Sequence, residues 1–339
     1  MTGPVGVRFW RGTELESVHA VHAALASAGR VVPLHGAPST RAFLRSAAKP
    51  IQLIPLVEEG LVARYGFTDA EVAVMAASHS GEPFHVAAVT SILEKADLQP
   101  AHLQCGVHEP LSHAAALALR AAGMAPTPLH NNCSGNHAGL LVVCRALGWP
   151  LATYREPDHP LQERLWRLVA ELADLTLERV GRATDGCGIP AFALPVSTMA
   201  AAYGRLAEAD AARLSDRERA IGLIFDAMAA APPFTAGTGR LCTDLMTRAG
   251  AGLIIKTGAE GVYCAALRAG GAPRGLALKV ADGAGRAADV ALLELLVGLG
   301  AIDSAADPVL AAHARPPVRN HAGCVVGHLD AWLPMLEVE

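Results

Sequence analysis

The chain has 339 residues, 52% of them apolar, and a formal net charge of −4 at pH 7. This length and apolar content exclude a disordered chain and predict one large domain or two closely packed subdomains. Charged residues are dispersed and form no basic block, so nucleic acid is not an expected partner.

The two ends of the chain have strand patterns, and the middle has helical ones. Three N-terminal segments, 4–12, 14–26 and 29–36, show mixed polar and apolar alternation between glycine-containing turns. From Ser46 to about Leu245, apolar residues recur at i, i+3 and i+4, as in "FHVAAVTSILEKAD". Strand patterns return at 251–258, 261–270 and 274–283, and a helix follows at 284–300.

This distribution predicts an α/β (α+β) protein that forms a single unit over residues 1–339. A strand-rich subdomain would comprise residues 1–45 and 250–339, and a helical subdomain residues 46–249. If the two chain ends pair into one central antiparallel sheet flanked by helices, a cleft forms where the sheet meets the helical region. We expect a functional site in that cleft.

Nothing in the sequence indicates export or membrane insertion. The first ten residues, "MTGPVGVRFW", lack the basic start and apolar run of a signal peptide. The most apolar helical segment is short and contains Asp289 and Glu294, so no membrane span is expected. Seven cysteines without a C-x-x-C pair are typical of a reducing compartment. We therefore expect a cytoplasmic protein.

The segment "FLRSAAKPIQ" places Ser46 three residues before Lys49, a spacing expected by chance about 0.14 times in a chain with this serine and lysine content. On a helix both side chains share one face, and Pro50 fits the first turn, so the helix should begin near Ser46. Pro55 predicts a kink or an early end. A helix start lowers the pKa of a nearby lysine, and its N–H groups can hold an oxyanion. A capping serine beside a solvated lysine is the structural alternative.

The small number of lysines makes each one informative. Arginine outnumbers lysine by 24 to 4, and only lysine can release its proton in practice. Lys256 opens a K-T-G sequence at the end of a predicted strand. The order S-x-x-K, a serine-containing loop and K-T-G is the motif set of serine β-lactamases and penicillin-binding proteins. There the K-T-G strand lines the cleft, and the N–H after its glycine, here Gly258 followed by Ala259, completes an oxyanion hole.

Further segments extend the match: "RSAAKPIQ", "ASHSGEPFH", "HNNCSGNHAG", "DGCGIPAFALP", "GTGRLCTDLM" and "KTGAEGVYCAAL". Together they resemble the rhizobial-type L-asparaginases, also called asparaginase II, over nearly the whole chain from Phe9 to Gly327. The resemblance implies a single catalytic unit with a serine β-lactamase-like fold that is also related to glutaminases, and it implies a homodimer. The implied reaction is hydrolysis of L-asparagine to L-aspartate and ammonia through a serine acyl-enzyme.

By motif matching, the resemblance implies two Ser–Lys pairs in one pocket, Ser46 with Lys49 and Ser78 with Lys256. A neutral lysine can activate a serine if burial and a second cation lower its pKa. We expect Ser46 as the nucleophile and Lys49 as its base, with the other pair passing a proton to the leaving ammonia. The roles of the two serines can be exchanged. This chemistry requires no cofactor.

The family also carries a zinc site, with the pattern C-S-G-K and a distant D-G-C. The two cysteines correspond to Cys133 and Cys187, but "CSGNH" has Asn136 where the family has lysine. An amide oxygen is a weaker zinc ligand than a lysine amine, so tight zinc binding is not expected. Two thiolates with water or His137 could still hold zinc. Because of Asn136, a catalytically impaired protein that binds a ligand or zinc is an alternative to an active enzyme.

Several residues are candidates for substrate contact. Arg45 could hold a carboxylate in its planar fork or form a structural salt bridge. Asp185 could bind the substrate ammonium or orient a cysteine. The other candidates are His79, Ser80, Asn136, His137, Gly258 and Ala259, and for the two histidines surface or core positions are the alternatives.

The reaction class leaves close rivals. One methylene in a pocket changes selectivity only modestly, so a glutaminase or a broader amidase with the same mechanism stays open. The loop "ASHSGE" is not S-D-N, and no export signal is visible, which argues against a penicillin-recognising acyltransferase.

Overall fold

The computed structural model describes residues 4–209, 215–269, 271–304 and 306–334. The strands are β1 (Gly6–Arg11), β2 (Glu14–His19), β3 (Val21–Ser27), β4 (Arg30–His35), β5 (Arg41–Phe43), β6 (Gly181–Thr184), β7 (Pro190–Pro195), β8 (Leu253–Gly258), β9 (Val262–Leu267), β10 (Arg274–Val280), β11 (Pro317–Arg319) and β12 (Val325–Trp332). The helices are α1 (Lys49–Gln52), α2 (Ile54–Glu58), α3 (Leu61–Tyr65), α4 (Asp69–Met75), α5 (Pro83–Lys95), α6 (His113–Ala121), α7 (Ser134–Leu147), α8 (Pro160–Leu172), α9 (Val196–Glu208), α10 (Asp216–Ala230), α11 (Pro232–Thr235), α12 (Leu241–Ala249), α13 (Gly285–Gly298) and α14 (Pro308–Ala314).

The two ends of the chain form two antiparallel sheets, not the single sheet expected from the sequence. One has five strands in the order β4-β3-β10-β9-β8, and the other has four in the order β11-β12-β1-β2. The division falls at Ala20, inside a segment predicted as one strand. Strand β2 is mostly exposed and β3 is largely buried, so the two halves of that segment suit different layers.

Helix α13 lies between these two sheets. It packs against β9 and β10 of the five-stranded sheet and against β1 and β12 of the four-stranded sheet. Because both sides are covered, apolar residues extend around most of the helix. Within the described ranges, no helix combines the length and apolarity needed to cross a membrane.

Helix α9 packs closely on the five-stranded sheet because two glycines meet at the contact. A Cβ atom on Gly275 of β10 would lie 2.0 Å from the backbone nitrogen of Gly204 in α9. Any larger residue at this position would push the helix off the sheet.

The middle of the chain is largely helical, as predicted, but it also contributes two strands to a small sheet in the order β5-β7-β6. The backbone N–H of Leu44, directly after β5, donates to the carbonyl of Phe192 in β7 at 2.9 Å. This pairing fixes the chain just before the S-x-x-K motif. The motif itself begins as a 3₁₀ turn, Arg45–Ala48.

Two prolines divide the segment that follows into short helices. Pro50 occupies the first turn of α1, and Pro55 occupies the first turn of α2, with a break at Leu53 between them. The early helix end predicted at Pro55 is confirmed. The break keeps α1 to one turn, with Lys49 at its start and Gln52 at its end.

Candidate active site

Ser78 lies between the two lysines that the sequence motifs contain. Its Oγ is 3.0 Å from the Nζ of Lys49 and 3.0 Å from the Nζ of Lys256. Lys49 comes from α1, Ser78 from the loop after α4, and Lys256 from β8. All three side chains are buried. The hydroxyl can therefore pass a proton between two amines that are shielded from water.

The amine of Lys49 has three hydrogen-bond acceptors. Its Nζ is 2.7 Å from the carbonyl oxygen of Ala77, 3.0 Å from Ser78 Oγ and 3.1 Å from Cys133 Sγ. An ammonium group has three N–H donors, so this environment suits the charged form. A charged lysine as well buried as this one needs a negative partner, and Cys133 is the nearest thiol.

The two cysteines supply that negative charge. A hydrogen bond from the Cys187 thiol, together with the charge of Lys49, lowers the pKa of Cys133. The same contact raises the pKa of Cys187, so the pair shares one proton. The lowered pKa favours a thiolate on Cys133, whose Sγ lies 3.1 Å from the Nζ of Lys49.

Lys256 has the opposite preference. Burial and the positive charge of Lys49 hold its pKa well below that of a free lysine. Its Nζ donates to the carbonyl oxygen of Thr257 at 3.0 Å. In its neutral form the amine keeps a lone pair for the proton of Ser78. One amine is therefore suited to be charged and the other neutral, with a hydroxyl between them.

Ser46 faces a small cavity and not the amine of Lys49. The cavity has a volume of about 10 Å³, and its walls include Ser46, Lys49, Cys133 and Cys187. Within the described parts of the chain, the Ser46 hydroxyl forms no hydrogen bond, although the three-residue spacing predicts one with Lys49. The N–H groups of Lys49 are directed instead to acceptors on other segments.

Arg45 and Asp185 form a two-pronged ion pair beside this cavity. The guanidinium Nε and Nη2 are each 3.0 Å from a carboxylate oxygen of Asp185, and both residues line the cavity. The salt-bridge alternative considered for Arg45 is thus present. Arg45 also has a φ of +49°, a left-handed conformation that is uncommon for a residue with a side chain. Such strain is frequent at active sites and ligand-binding segments, and Arg45 directly precedes Ser46.

His79 and Ser80 hold the loop that carries Ser78. The N–H of Gly81 donates to Nδ1 of His79, so the Nε2–H of His79 donates to Ser134 Oγ at 2.9 Å. Ser80 Oγ donates to the carbonyl oxygen of Ala236 at 2.9 Å. Both residues are buried and lie outside the cavity wall.

The K-T-G strand approaches the S-x-x-K segment closely. A Cβ atom on Gly258 would lie 2.6 Å from the carbonyl oxygen of Leu44, so only glycine permits this contact. Ala259 follows in an exposed turn. The end of β8 is thereby placed two residues from Ser46, although neither Gly258 nor Ala259 lines the cavity.

The sequence matches the family model described as L-asparaginase II over residues 7–331. The chain belongs to the L-asparaginase II family. No curated protein matches the sequence.

Two solved structures resemble this L-asparaginase II family member. One is a crystal structure of Mglu in its native form, with 13% identity, a TM-score of 0.43, and 84% of this chain aligned to 65% of that one. The other is Mglu in the presence of 4.3 M NaCl, with 15% identity, a TM-score of 0.38, and 84% aligned to 62%. The chain spans a little under two thirds of their length.

The residues present do not complete the zinc site of the family pattern. Asn136 is buried, its Nδ2 donates to the carbonyl oxygen of Met75 at 3.2 Å, and its Oδ1 has no partner among the described residues. His137 is tied through Nδ1 to the hydroxyl of Tyr154 at 2.6 Å. In the described ranges, no three His, Cys, Asp or Glu side chains are grouped to hold a metal. Two sulfur ligands alone do not make a zinc site.

Two residues of this region were not among the sequence-based candidates. Gln52 lines the cavity one helical turn after Lys49, a spacing that could have indicated it. Arg240 donates from Nη1 to the carbonyl oxygen of Ser78 at 2.5 Å. Arg240 belongs to "GTGRLCTDLM", one of the segments that extend the family match, and nothing in the sequence indicated this contact.

Proposed function

We propose that the chain hydrolyses L-asparagine to L-aspartate and ammonia through an acyl-enzyme on Ser46. The observation that carries the proposal is the line of groups Lys49, Ser78 and Lys256, linked by two 3.0 Å contacts, next to a serine that faces a cavity. Family membership supports amide hydrolysis, and the geometry supplies a nucleophile and a route for its proton.

The Arg45–Asp185 ion pair suits the two charged ends of an amino acid. The guanidinium matches a planar α-carboxylate, and the carboxylate matches an α-ammonium group. A cavity of about 10 Å³ is too small for asparagine, so binding requires the ion pair to separate. Each partner then exchanges its protein contact for one end of the substrate, which limits the energetic cost of opening the site.

Ser46 is the better candidate for acylation because a nucleophile must reach the amide carbon. Ser46 is partly exposed and lines the cavity, whereas Ser78 is 4% exposed and lies between the two amines. The buried hydroxyl is suited to proton transfer, since it contacts a donor and an acceptor at once. This assignment keeps the two serines in the roles that the motif order predicts.

The proton steps follow because the amines of Lys49 and Lys256 share one positive charge. Transfer of one proton from Lys49 through Ser78 to Lys256 leaves Lys49 neutral, and Lys49 then accepts the proton of Ser46 as its Oγ bonds to the amide carbon. When the C–N bond breaks, Lys256 returns a proton through Ser78 to the departing nitrogen, which leaves as ammonia. Water then cleaves the ester and restores Ser46. No step uses a metal.

Ammonia release from L-asparagine, with L-glutamine in parallel, tests the proposal. We expect Ser46→Ala to lower kcat/KM by about 10,000-fold or more. Ser78→Ala, which interrupts only the proton route, should lower kcat/KM by roughly 100- to 1,000-fold. Acid quenching and peptide mass spectrometry should find an aspartyl ester on the peptide that contains Ser46.

Ser17→Ala on strand β2 is the control and should match the wild type. Wild-type protein that releases no more ammonia than Ser46→Ala would refute the proposal and favour a protein that only binds a ligand. A higher kcat/KM for glutamine would replace asparaginase by glutaminase with the same mechanism. An ester on the peptide containing Ser78 would exchange the roles of the serines.

A further inference from the structure

Gln52 is a buried amide whose oxygen has no partner. The residue ends helix α1 and is 3% exposed. Among the described residues, nothing donates a hydrogen bond to its Oε1. Buried side-chain oxygens in native proteins are nearly always bonded to protein or to ordered water. An exception therefore calls for a physical explanation.

The side chain of Gln52 forms part of the wall of the cavity that Ser46 faces. Gln52 is more deeply buried than Arg45 and Asp185, whose side chains are 26% and 17% exposed. The ion pair thus lies toward the solvent and the amide toward the interior. A ligand atom bound between Ser46 and Gln52 would be shielded from bulk water.

The volume of the cavity limits what can bind there. About 10 Å³ is close to the smallest cavity that holds one water molecule, which also needs two to four polar partners. The Gln52 oxygen accepts, the Ser46 hydroxyl is unpaired in the described chain, and the Cys133 and Cys187 sulfurs add weak partners. The site has the size and the polarity for a single water molecule.

We propose that Gln52 is a positioning residue that binds the water molecule which hydrolyses the acyl-enzyme. This inference rests on the proposed function. Lys49, which holds the proton of Ser46 after acylation, first passes a proton through Ser78 to Lys256. Gln52 Oε1 accepts one hydrogen of the water, and the amine of Lys49, now neutral and one helical turn away, takes the other as the water oxygen bonds to the ester carbon. The bond from that carbon to Ser46 Oγ then breaks, and Lys49 returns the proton to Oγ. The products are aspartate and free enzyme.

The competing role for Gln52 is contact with the substrate carboxamide. An amide oxygen could accept a hydrogen bond from the substrate NH₂ group just as well as from water. The two roles act on different steps, because the carboxamide nitrogen leaves during acylation and the water reacts only afterwards. Separate measurement of acylation and deacylation therefore distinguishes them.

The test uses Gln52→Met, which keeps the length of the side chain and removes the acceptor. Mixed rapidly with L-asparagine, this variant should release one ammonia per enzyme in a burst, followed by turnover about 100-fold slower than wild type. Intact mass spectrometry should show the aspartyl adduct accumulating. Gln52→Glu keeps an acceptor oxygen and should restore part of the deacylation rate.

Hydroxylamine gives a readout that does not depend on how much of the variant is folded. It cleaves the acyl-enzyme to aspartyl hydroxamate in competition with water. The ratio of hydroxamate to aspartate should rise about 100-fold in Gln52→Met if the water is no longer held. Gln162→Met is the matched control, because Gln162 is also buried with an unpartnered Oε1 but bonds Tyr154 and lies outside the cavity.

Two results would overturn the inference. An unchanged hydroxamate ratio in Gln52→Met would show that water attack does not depend on this residue. A slow first ammonia release without adduct would assign Gln52 to the substrate carboxamide. If wild-type protein itself releases no ammonia and forms no adduct, the proposed function fails, and that outcome is separate from both.

Discussion

Lys49 and Lys256 occupy one buried region, and their charges are coupled. Both contact the hydroxyl of Ser78 at 3.0 Å, and two protonated amines so close together repel each other. A thiolate on Cys133 compensates one positive charge and not a second. In the proposed mechanism the resting amines therefore share one proton, and Ser78 moves it.

We expect Asn136 to determine whether a metal can bind beside these charged groups. Its amide nitrogen is engaged by the carbonyl of Met75, and an amide is a poor zinc ligand beside two cysteines. A lysine amine at this position would add a stronger nitrogen donor. Asn136→Lys should therefore create a third ligand for zinc next to Cys133 and Cys187.

We expect wild-type protein to contain zinc well below one equivalent after purification in zinc-containing buffer. Asn136→Lys should contain about one equivalent, and 100 Kd of free zinc should stabilise it by about 2.7 kcal/mol against urea. Asn136→Met, of similar length without a donor, is the control and should bind no more zinc than wild type. Stoichiometric zinc in the wild type, measured by elemental analysis, would contradict this prediction.

The sequence singled out several residues that the fold brings together at the candidate site, but it did not predict their contacts. Ser46, Lys49 and Lys256 stand out because lysine is rare and the motifs have fixed spacing. The sequence paired Ser46 with Lys49, whereas the amine of Lys49 reaches Ala77, Ser78 and Cys133. A long side chain selects partners from segments that only the folded chain brings near it, so spacing alone cannot name them.

Hydrogen bonds join two loops beside the candidate site. The loop 78–82 carries Ser78, and the loop 236–240 packs on it through hydrogen bonds. Ser80 bonds the carbonyl of Ala236, and Thr238 Oγ1 donates to Glu82 at 2.7 Å. The second loop therefore sets the position of the first, and its Arg240 contacts the Ser78 carbonyl and places a positive charge near Lys256.

Arg240 should influence the pH dependence of catalysis. Its charge contributes, after burial and the charge of Lys49, to the lowered pKa of Lys256, while Cys242 and Cys133 act in the opposite direction. Arg240→Gln removes one cation, so the protonated form of Lys256 becomes less unfavourable and its pKa rises. The proposed mechanism needs one neutral amine, so the acidic limb of kcat/KM against pH should move to higher pH.

The measurement is a pH profile of kcat/KM for ammonia release. Arg240→Lys keeps the charge and a donor, and its acidic limb should stay near that of the wild type, even if kcat falls through a looser loop. An unshifted limb in Arg240→Gln would show that the arginine acts only by holding the Ser78 carbonyl.

Boundaries of helices were predicted correctly where a proline marks them. Pro50 and Pro55 mark the starts of α1 and α2 because proline lacks an N–H and fits a first helical turn. The split between β2 and β3 at Ala20 was missed, since no glycine or proline interrupts that segment. Strands β2 and β3 belong to different sheets, and each of these sheets is completed by strands from the other end of the chain.

The fold as a whole depends on contacts between its two ends. Strand β1 near the N-terminus pairs with β12 near the C-terminus, and β3 pairs with β10. Such pairing was predicted from the strand patterns at both ends, but the number of sheets was not. Helix α13 separates the two sheets, and its position follows from packing on both of them.

Arg8 and Asp330 join the two chain ends with an ion pair that water reaches only in part. Arg8 Nε and Nη2 lie 2.7 and 3.0 Å from the carboxylate, and Trp10 Nε1 lies 3.0 Å from it. The Arg8 side chain is 8% exposed and that of Asp330 is 25% exposed. These donors lower the pKa of Asp330 against the opposing effect of burial. The carboxylate thus stabilises the fold only in its charged form.

Asp330→Asn should reduce the free energy of unfolding by about 1–2 kcal/mol at pH 7, because Arg8 loses its charged partner. The lowered pKa fixes the sign of the pH dependence: the stabilisation is present above the unfolded pKa of an aspartate and is lost as pH falls through the lower folded value. Urea unfolding between pH 7 and pH 3 should therefore show the wild type and Asp330→Asn converging in acid.

His328 and Glu294 also face Asp330, so the control is a variant in which the carboxylate of Asp330 is intact. Asp226→Asn serves, since the Asp226 side chain is 56% exposed in its pair with Arg268 and its loss should cost less than about 0.5 kcal/mol. Equal costs for both variants at pH 7 would mean that the ion pair between the chain ends contributes no more than a surface contact.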